Sequence, residues 1–208
     1  MNGWEMTLLG KRLEAAGYLT RRFSYPSVHR NLAENTNLLH QFLTEIHDRE
    51  VHFVAHSLGG LLVRNLLNTY PSDVQGRVVT LGTPHQGSLV ARAMSRSWIG
   101  SMLLGKALPS LSTKIPAGQE FFESDSSEFN SLEFGCIAGN RPLGMGMLLA
   151  SVTKPHDGAV QLTETKFNQM TDYRVVPSNH MGLLFSRQVA EEVIQFLKAG
   201  CFLPETAQ

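Results

Sequence analysis

Cysteine is scarce in this sequence: Cys136 and Cys201 are its only two among 208 residues. Two thiols cannot build a disulfide framework, and this pair lacks the spacing of a metal site. They read as reduced and mostly buried. An excess of charge is missing as well, because eighteen basic residues balance eighteen acidic ones. No global field would attract nucleic acid or an anionic membrane, and there is no acidic tail, basic arm or disordered composition. No apolar run approaches the roughly 18 residues of a membrane span. The nearest, Met145 to Val152, is broken by Gly146 and Ser151. The first residues, Met1 to Glu5, show no basic region, apolar core or cleavage site, so no secretion signal is read and the cytoplasm is the expected compartment. Internal repeats and low-complexity linkers are absent too. What is present is 42% hydrophobic residues in a length that suits one domain, 1–208, and is short for two.

The apolar pattern alternates between two periods. Leu8, Leu9, Leu13 and Ala16 fall at helical spacing, with Gly17 as a stop. Tyr18 to Tyr25 reads as a short strand ended by Pro26, and Asn31 to Ile46 as an amphipathic helix. Val51 to Ala55 is a compact β-branched and aromatic run, hence a buried strand. A helix over Leu58 to Tyr70 follows, stopped by Pro71. Further strands are expected at Arg77–Leu81, Phe134–Ala138 and Asp172–Val176, with a last helix over Phe185 to Lys198. Strand cores apolar on both faces, alternating with helices, predict an α/β protein with a mostly parallel sheet covered on both sides. The interval 89–130 departs from the alternation and reads as an insertion. It holds an apolar stretch at 98–108, then a Ser/Asp/Glu-rich stretch from Glu123 to Asn130.

The chemistry concentrates where the Val51 strand runs into Ala55-His56-Ser57-Leu58-Gly59 and a helix begins. This strand–turn–helix setting is what a G-x-S-x-G nucleophile elbow requires, with Ala55 in place of the first glycine. Small residues two before and two after the serine are expected on steric grounds. The helix directs its first amides toward the hydroxyl and favours negative charge there. A serine hydroxyl is a poor nucleophile, so a base and an acid must accompany it. Asp157 stands in the Pro/Gly loop 154–160 after the Phe134 strand, and His180 stands just past the Asp172 strand. Ser57, Asp157 and His180 thus follow in the order Ser, acid, His, each past a strand end. Ser57 would attack an acyl carbonyl, His180 would move the proton, and Asp157 would orient His180.

Other titratable residues compete. His56 flanks the nucleophile and is expected to shape the wall of the substrate pocket. His85 lies at a strand end, at that pocket or in a structural role. His52 lies inside a strand and reads as packed, and His156 neighbours the acid as a supporting residue. Asp125 and Asp172 are alternative acids, but Asp172 precedes its strand and belongs to the wrong end of the sheet. No histidine pair has H-E-x-x-H spacing, so a metal site is rejected and no cofactor is expected.

Four segments, A-H-S-L-G at 55–59, L-G-T-P-H-Q-G-S at 81–88, H-D-G-A-V at 156–160 and S-N-H-M-G-L-L at 178–184, resemble the α/β-hydrolases of the lipase and esterase type. The likeness runs from about Trp4 to Leu197. It implies the α/β-hydrolase fold, hydrolysis of a small-molecule or lipid ester without a cofactor, and a cap or lid formed by 89–130. The 98–108 stretch is then either a lid that touches a lipid interface or a helix packed on the body. In that family one oxyanion donor is the amide after the nucleophile, here Leu58, and the second comes from a loop announced by His-Gly. No His-Gly pair occurs in this sequence. The resemblance therefore implies a missing strand and loop, a true start upstream of Met1, and either an unpaired edge beside the nucleophile strand or a shifted Tyr18–Tyr25 strand. A thioesterase or acyltransferase on the same triad stays open, as does a non-catalytic binding protein of the same fold. Acyl chain length and oligomeric state are not readable.

Overall fold

A computed structural model of the chain describes residues 3–46, 50–73, 75–89, 132–143 and 155–204. Four parallel strands, β1 (Phe53–His56), β2 (Val78–Leu81), β3 (Phe134–Gly139) and β4 (Asp172–Val176), lie side by side in sequence order. Phe53 pairs with Val78, Val78 with Phe134, and Gly135 with Asp172. All four strands therefore end on one side of the sheet, and the loops that follow them gather there.

The helices are α1 (Thr7–Ala15), α2 (Leu32–Thr44), α3 (Leu58–Thr69) and α4 (Arg187–Ala199), with a single helical turn at Gly182–Phe185. Strand side chains alternate between two packed faces, as the two-residue period demands. Phe53, Ala55, Val78, Phe134 and Cys136 join Leu39 of α2 and Leu61, Leu62 and Leu66 of α3 in one core. Val79, Leu81, Ile137 and Val176 join Leu9 and Leu13 of α1 and Val189, Val193 and Phe196 of α4 in the other. Full burial of each such side chain contributes about 1.5–3 kcal/mol, so the two cores hold the helices to the sheet. The expected parallel sheet with helices on both faces is what forms.

Local signals fix the helix ends. In α2 the Asn31 side chain accepts from the Glu34 amide at 2.9 Å while Glu34 accepts from the Asn31 amide at 2.8 Å, a reciprocal cap. Gly17, at φ +96, ends the first helical segment. The last helix begins at Arg187 rather than at the expected Phe185: Ser186 is extended, and its hydroxyl caps α4 by accepting from the Val189 amide at 3.3 Å.

The Tyr18–Tyr25 strand does not form. The segment runs in the same direction as β1, with Tyr18 edge-on to His52 at 5.9 Å and Tyr25 reaching toward Gly59. A cavity of about 570 Å³ separates the two, lined by residues 17–23 on one side and Val51–His56 on the other. A ladder needs strands about 5 Å apart, so aromatic composition without a neighbouring backbone leaves the segment as coil. Phe23 and Tyr25 stack on each other instead, at 5.7 Å. The outer edge of β1 consequently has no strand partner among the described residues. The expected cap over 89–130, including 98–108, lies outside the described residues apart from Leu89. Among the described residues no helix is long and apolar enough to cross a membrane.

Candidate active site

Ser57 joins β1 directly to α3, so one residue must turn the chain from strand to helix. Its backbone takes φ 54 and ψ −125, making it the one non-glycine residue with positive φ among those described. Such a conformation costs on the order of 1–3 kcal/mol and persists where the surroundings hold it. Here the Ser57 amide donates to Leu81 O at 2.9 Å, and the Ser57 carbonyl accepts from the Thr83 hydroxyl at 2.9 Å and the Gly60 amide at 3.0 Å. The steric demand falls one residue later than expected. A Cβ on Gly59 would meet Ala55 at an ordinary 3.7 Å, whereas one on Gly60 would lie 2.1 Å from the Thr83 hydroxyl. The close approach of α3 to the loop after β2 is what crowds the elbow. Leu58 opens α3, so its amide has no preceding turn to donate to.

Asp157 and His180 arrive from the loops after β3 and β4. Asp157 is 1% exposed; its Oδ1 accepts from the amides of Ala159 at 2.9 Å and Val160 at 2.8 Å. Gly158, at φ +104, lets that tight loop close over the carboxylate. The other oxygen, Oδ2, lies 2.7 Å from His180 Nδ1, and the His180 amide donates to Asp157 O at 2.8 Å. A carboxylate only accepts, so Nδ1 carries a proton, and in the neutral ring Nε2 then presents a lone pair.

Two glycines make room for this pair. Gly82, at φ +55, would place a Cβ 3.0 Å from both Asp157 Oδ2 and His180 Nδ1. Gly139 would place one 2.4 Å from Ser178 O and 3.0 Å from Asp157 Cβ. Sequence reasoning did not single out these cradle residues or Thr83, although Gly82 and Thr83 stand inside a motif it quoted.

The remaining histidines separate by burial. His56 is 4% exposed, and its Nε2 lies 3.0 Å from the His180 carbonyl, with the two rings 4.6 Å apart. His85 is closed off from solvent. It is 1% exposed on the α2/α3 face, where Nδ1 accepts from Arg64 at 3.2 Å and Nε2 meets the Thr80 hydroxyl at 3.0 Å. His156 Nδ1 accepts from the Gly158 amide at 3.0 Å and so supports the acid loop. His52 precedes β1 and accepts from the Arg77 amide at 2.8 Å. Asp172 spends its oxygens on the amides of Tyr173 and Phe202, at the start of β4 and away from His180. Among the described residues no group of three His, Cys, Asp or Glu is arranged to hold a metal ion.

Burial has a consequence for acid stability. His56 is pushed down to about 3, first by desolvation and then by the His180 charge, and His85 falls well below the usual range through burial and the Arg64 charge. Unfolded histidine titrates near 6.5, so below that value the unfolded chain binds protons that the folded one refuses. Stability is therefore full above about pH 6.5 and declines as the pH falls. His56 alone removes about 2–3 kcal/mol between pH 6.5 and 4.5. Urea midpoints at the two values measure this, and the decline should shrink in His56→Phe. Equal acid sensitivity in that variant would contradict it.

The cavity beside β1 borders the nucleophile strand but not the Asp157–His180 pair. His56 and Gly59 are among its lining residues, whereas Ser57, Asp157 and His180 are not. It follows from the unpaired strand edge.

No family model and no curated protein matches the sequence. Solved structures do resemble it. The mature form of the lipase BlEst2 from Bacillus licheniformis superposes with a TM-score of 0.71 at 22% identity, over 92% of this chain and 83% of that one. The propeptide form of the same lipase gives 0.76 at 22% identity, over 96% of this chain and 48% of that one. A metagenomic carboxyl esterase, MGS0156, gives 0.64 at 17% identity, over 84% of this chain and 58% of that one. The chain thus spans about half the length of the propeptide form and of the esterase. Parallel sheet, strand-to-helix elbow and these likenesses agree on one architecture, and the chain has the α/β-hydrolase fold.

Proposed function

We propose that this protein is a serine hydrolase of carboxylic esters that works through an acyl-enzyme on Ser57. The observation that carries the reading is the His180–Asp157 pair at 2.7 Å, set on the strand-end loops that also carry the strained Ser57. The lipase and esterase named above support it as relatives in fold. In the reaction, Ser57 Oγ bonds to the ester carbonyl carbon while His180 Nε2 takes the hydroxyl proton. Asp157 keeps the ring in the tautomer that can accept it and stabilises the resulting imidazolium. The Leu58 amide donates to the oxyanion as negative charge develops. Collapse breaks the ester C–O bond, and His180 returns the proton to the departing alcohol. Water then repeats the sequence on the acyl-enzyme, releasing the acid and restoring Ser57. No step calls for a metal or organic cofactor.

The substrate is a small or lipid ester, with contact at a lipid interface if 98–108 acts as a lid. The unpaired Cys136 and Cys201 fit a reducing, cytoplasmic setting. Incubation with a fluorophosphonate followed by intact-mass measurement tests the assignment. A single adduct on the wild type that is absent from Ser57→Ala is expected; an adduct that survives the substitution, or none on the wild type, would overturn it.

A further inference from the structure

His56 is the last residue of the strand that delivers Ser57, and it reaches across to the loop that carries His180. We propose that His56 is a positioning residue: its Nε2–H clamps the His180 carbonyl and so fixes the distance between nucleophile and base. The inference rests on the serine-hydrolase reading above.

The polarity of the bond is settled by its partner. A carbonyl oxygen only accepts, so His56 must donate from Nε2, and burial keeps the ring neutral with Nδ1 as a bare acceptor. The clamp is the third bond to one residue. The His180 amide donates to Asp157 O at 2.8 Å, its Nδ1 is tied to Asp157 Oδ2 at 2.7 Å, and its carbonyl is held by His56 at 3.0 Å. The first two join the base to the acid loop, and His56 alone among the three joins it to the nucleophile strand. The rings also lie 4.6 Å apart at 45°, so His56 limits how the His180 imidazole can swing.

Packing alone does not explain an imidazole here. Its Nδ1 is buried without a hydrogen-bond partner among the described residues. An unsatisfied buried acceptor is a net cost, which an apolar ring of similar size would avoid. Among the described residues, the one favourable polar contact the ring makes is the bond to His180. The charged or titratable groups that act on it are His180 and Asp157. His56 cannot itself be the base, because its proton-bearing nitrogen is occupied by a carbonyl and its lone pair is walled in.

The test compares His56→Phe, which keeps a ring and loses the donor, with His56→Gln, whose amide N–H can restore it. On a p-nitrophenyl ester, His56→Phe should lower kcat by about 10- to 100-fold with KM changed less than about twofold, as for lost orientation. His56→Gln should recover most of that loss. The low-field proton NMR signal of His180 Nδ1–H should be sharp in the wild type and in His56→Gln, and broadened or lost in His56→Phe. An unaltered signal and kcat in His56→Phe, or a raised KM with kcat unchanged, would overturn the proposal. If His56→Phe does not fold, the Gln variant decides, since a kcat far below wild type with a broadened signal contradicts donor rescue. If the wild type hydrolyses no ester, the hydrolase reading fails while the NMR comparison still judges the clamp.

Discussion

Asp157→Asn should lower kcat for ester hydrolysis by about 10⁴-fold while leaving the fold intact. The substitution preserves shape, and the amide oxygen can still accept from Ala159 and Val160, the two bonds that close the acid loop. What changes is the atom facing His180. In the wild type Oδ2 accepts from Nδ1 at 2.7 Å, leaving Nε2 free to take a proton. An asparagine oriented to keep the loop bonds presents an N–H at that position. His180 must then accept at Nδ1 and carry its proton on Nε2, the nitrogen that receives the Ser57 proton in the proposed reaction. The loss is one of tautomer rather than of packing, so the thermal midpoint should stay close to wild type while kcat falls. Steady-state kinetics together with a melting curve check both halves. A decrease of less than tenfold would remove Asp157 from the reaction, and a collapse of the midpoint would show that the loop, not the tautomer, had been damaged.

Gly82→Ala should reduce kcat by about 10²-fold and destabilise the protein at the same time. Two costs meet at this position. At φ +55 a residue with a side chain is strained by roughly 1–2 kcal/mol. In addition, the new methyl would sit 3.0 Å from Asp157 Oδ2, His180 Nδ1 and Leu183 Cδ1, tighter than ordinary contact. Two of those atoms are the acid–base pair itself, so relief of the crowding means moving one off the other. For a chain of this length each kcal/mol lowers the melting temperature by about 2–4 °C. Gly17→Ala is the matched control: its φ is +96, but no atom lies within 4 Å of the added Cβ. It should lower the melting temperature through backbone strain alone and leave kcat unchanged. Equal kinetic effects of the two substitutions would show that Gly82 has no role beyond its backbone.

Much of the site can be read from the linear chain because its parts are local. Ala55 to Gly59 announces a strand, a turn and a helix within a few residues, and the elbow forms there at Ser57. Asp157 and His180, which the structure pairs at 2.7 Å, each follow an apolar strand run and sit in a loop rich in Pro, Gly, Ser or Asn. The Tyr18–Tyr25 segment shows the opposite. Its residues favour strands, but a strand exists only beside another, and across the cavity β1 is too distant to pair with it. The last helix starts at Arg187 rather than Phe185 because the Ser186 hydroxyl caps it, a boundary the apolar period does not mark.

The sequence by itself determined the alternation of buried strands and amphipathic helices, and with it the parallel sheet, because periodicity is a property of neighbouring residues. It also determined the order Ser57, Asp157, His180 and the neutral, cysteine-poor character of the chain. Only the tertiary structure decided which groups touch. It put His85 under the α2/α3 face, brought His56 against the His180 carbonyl, moved the steric demand from Gly59 to Gly60, and placed Gly82 against the Asp157–His180 pair. Those contacts join residues dozens of positions apart, and their distances are set by how the sheet and helices pack, which no local pattern encodes.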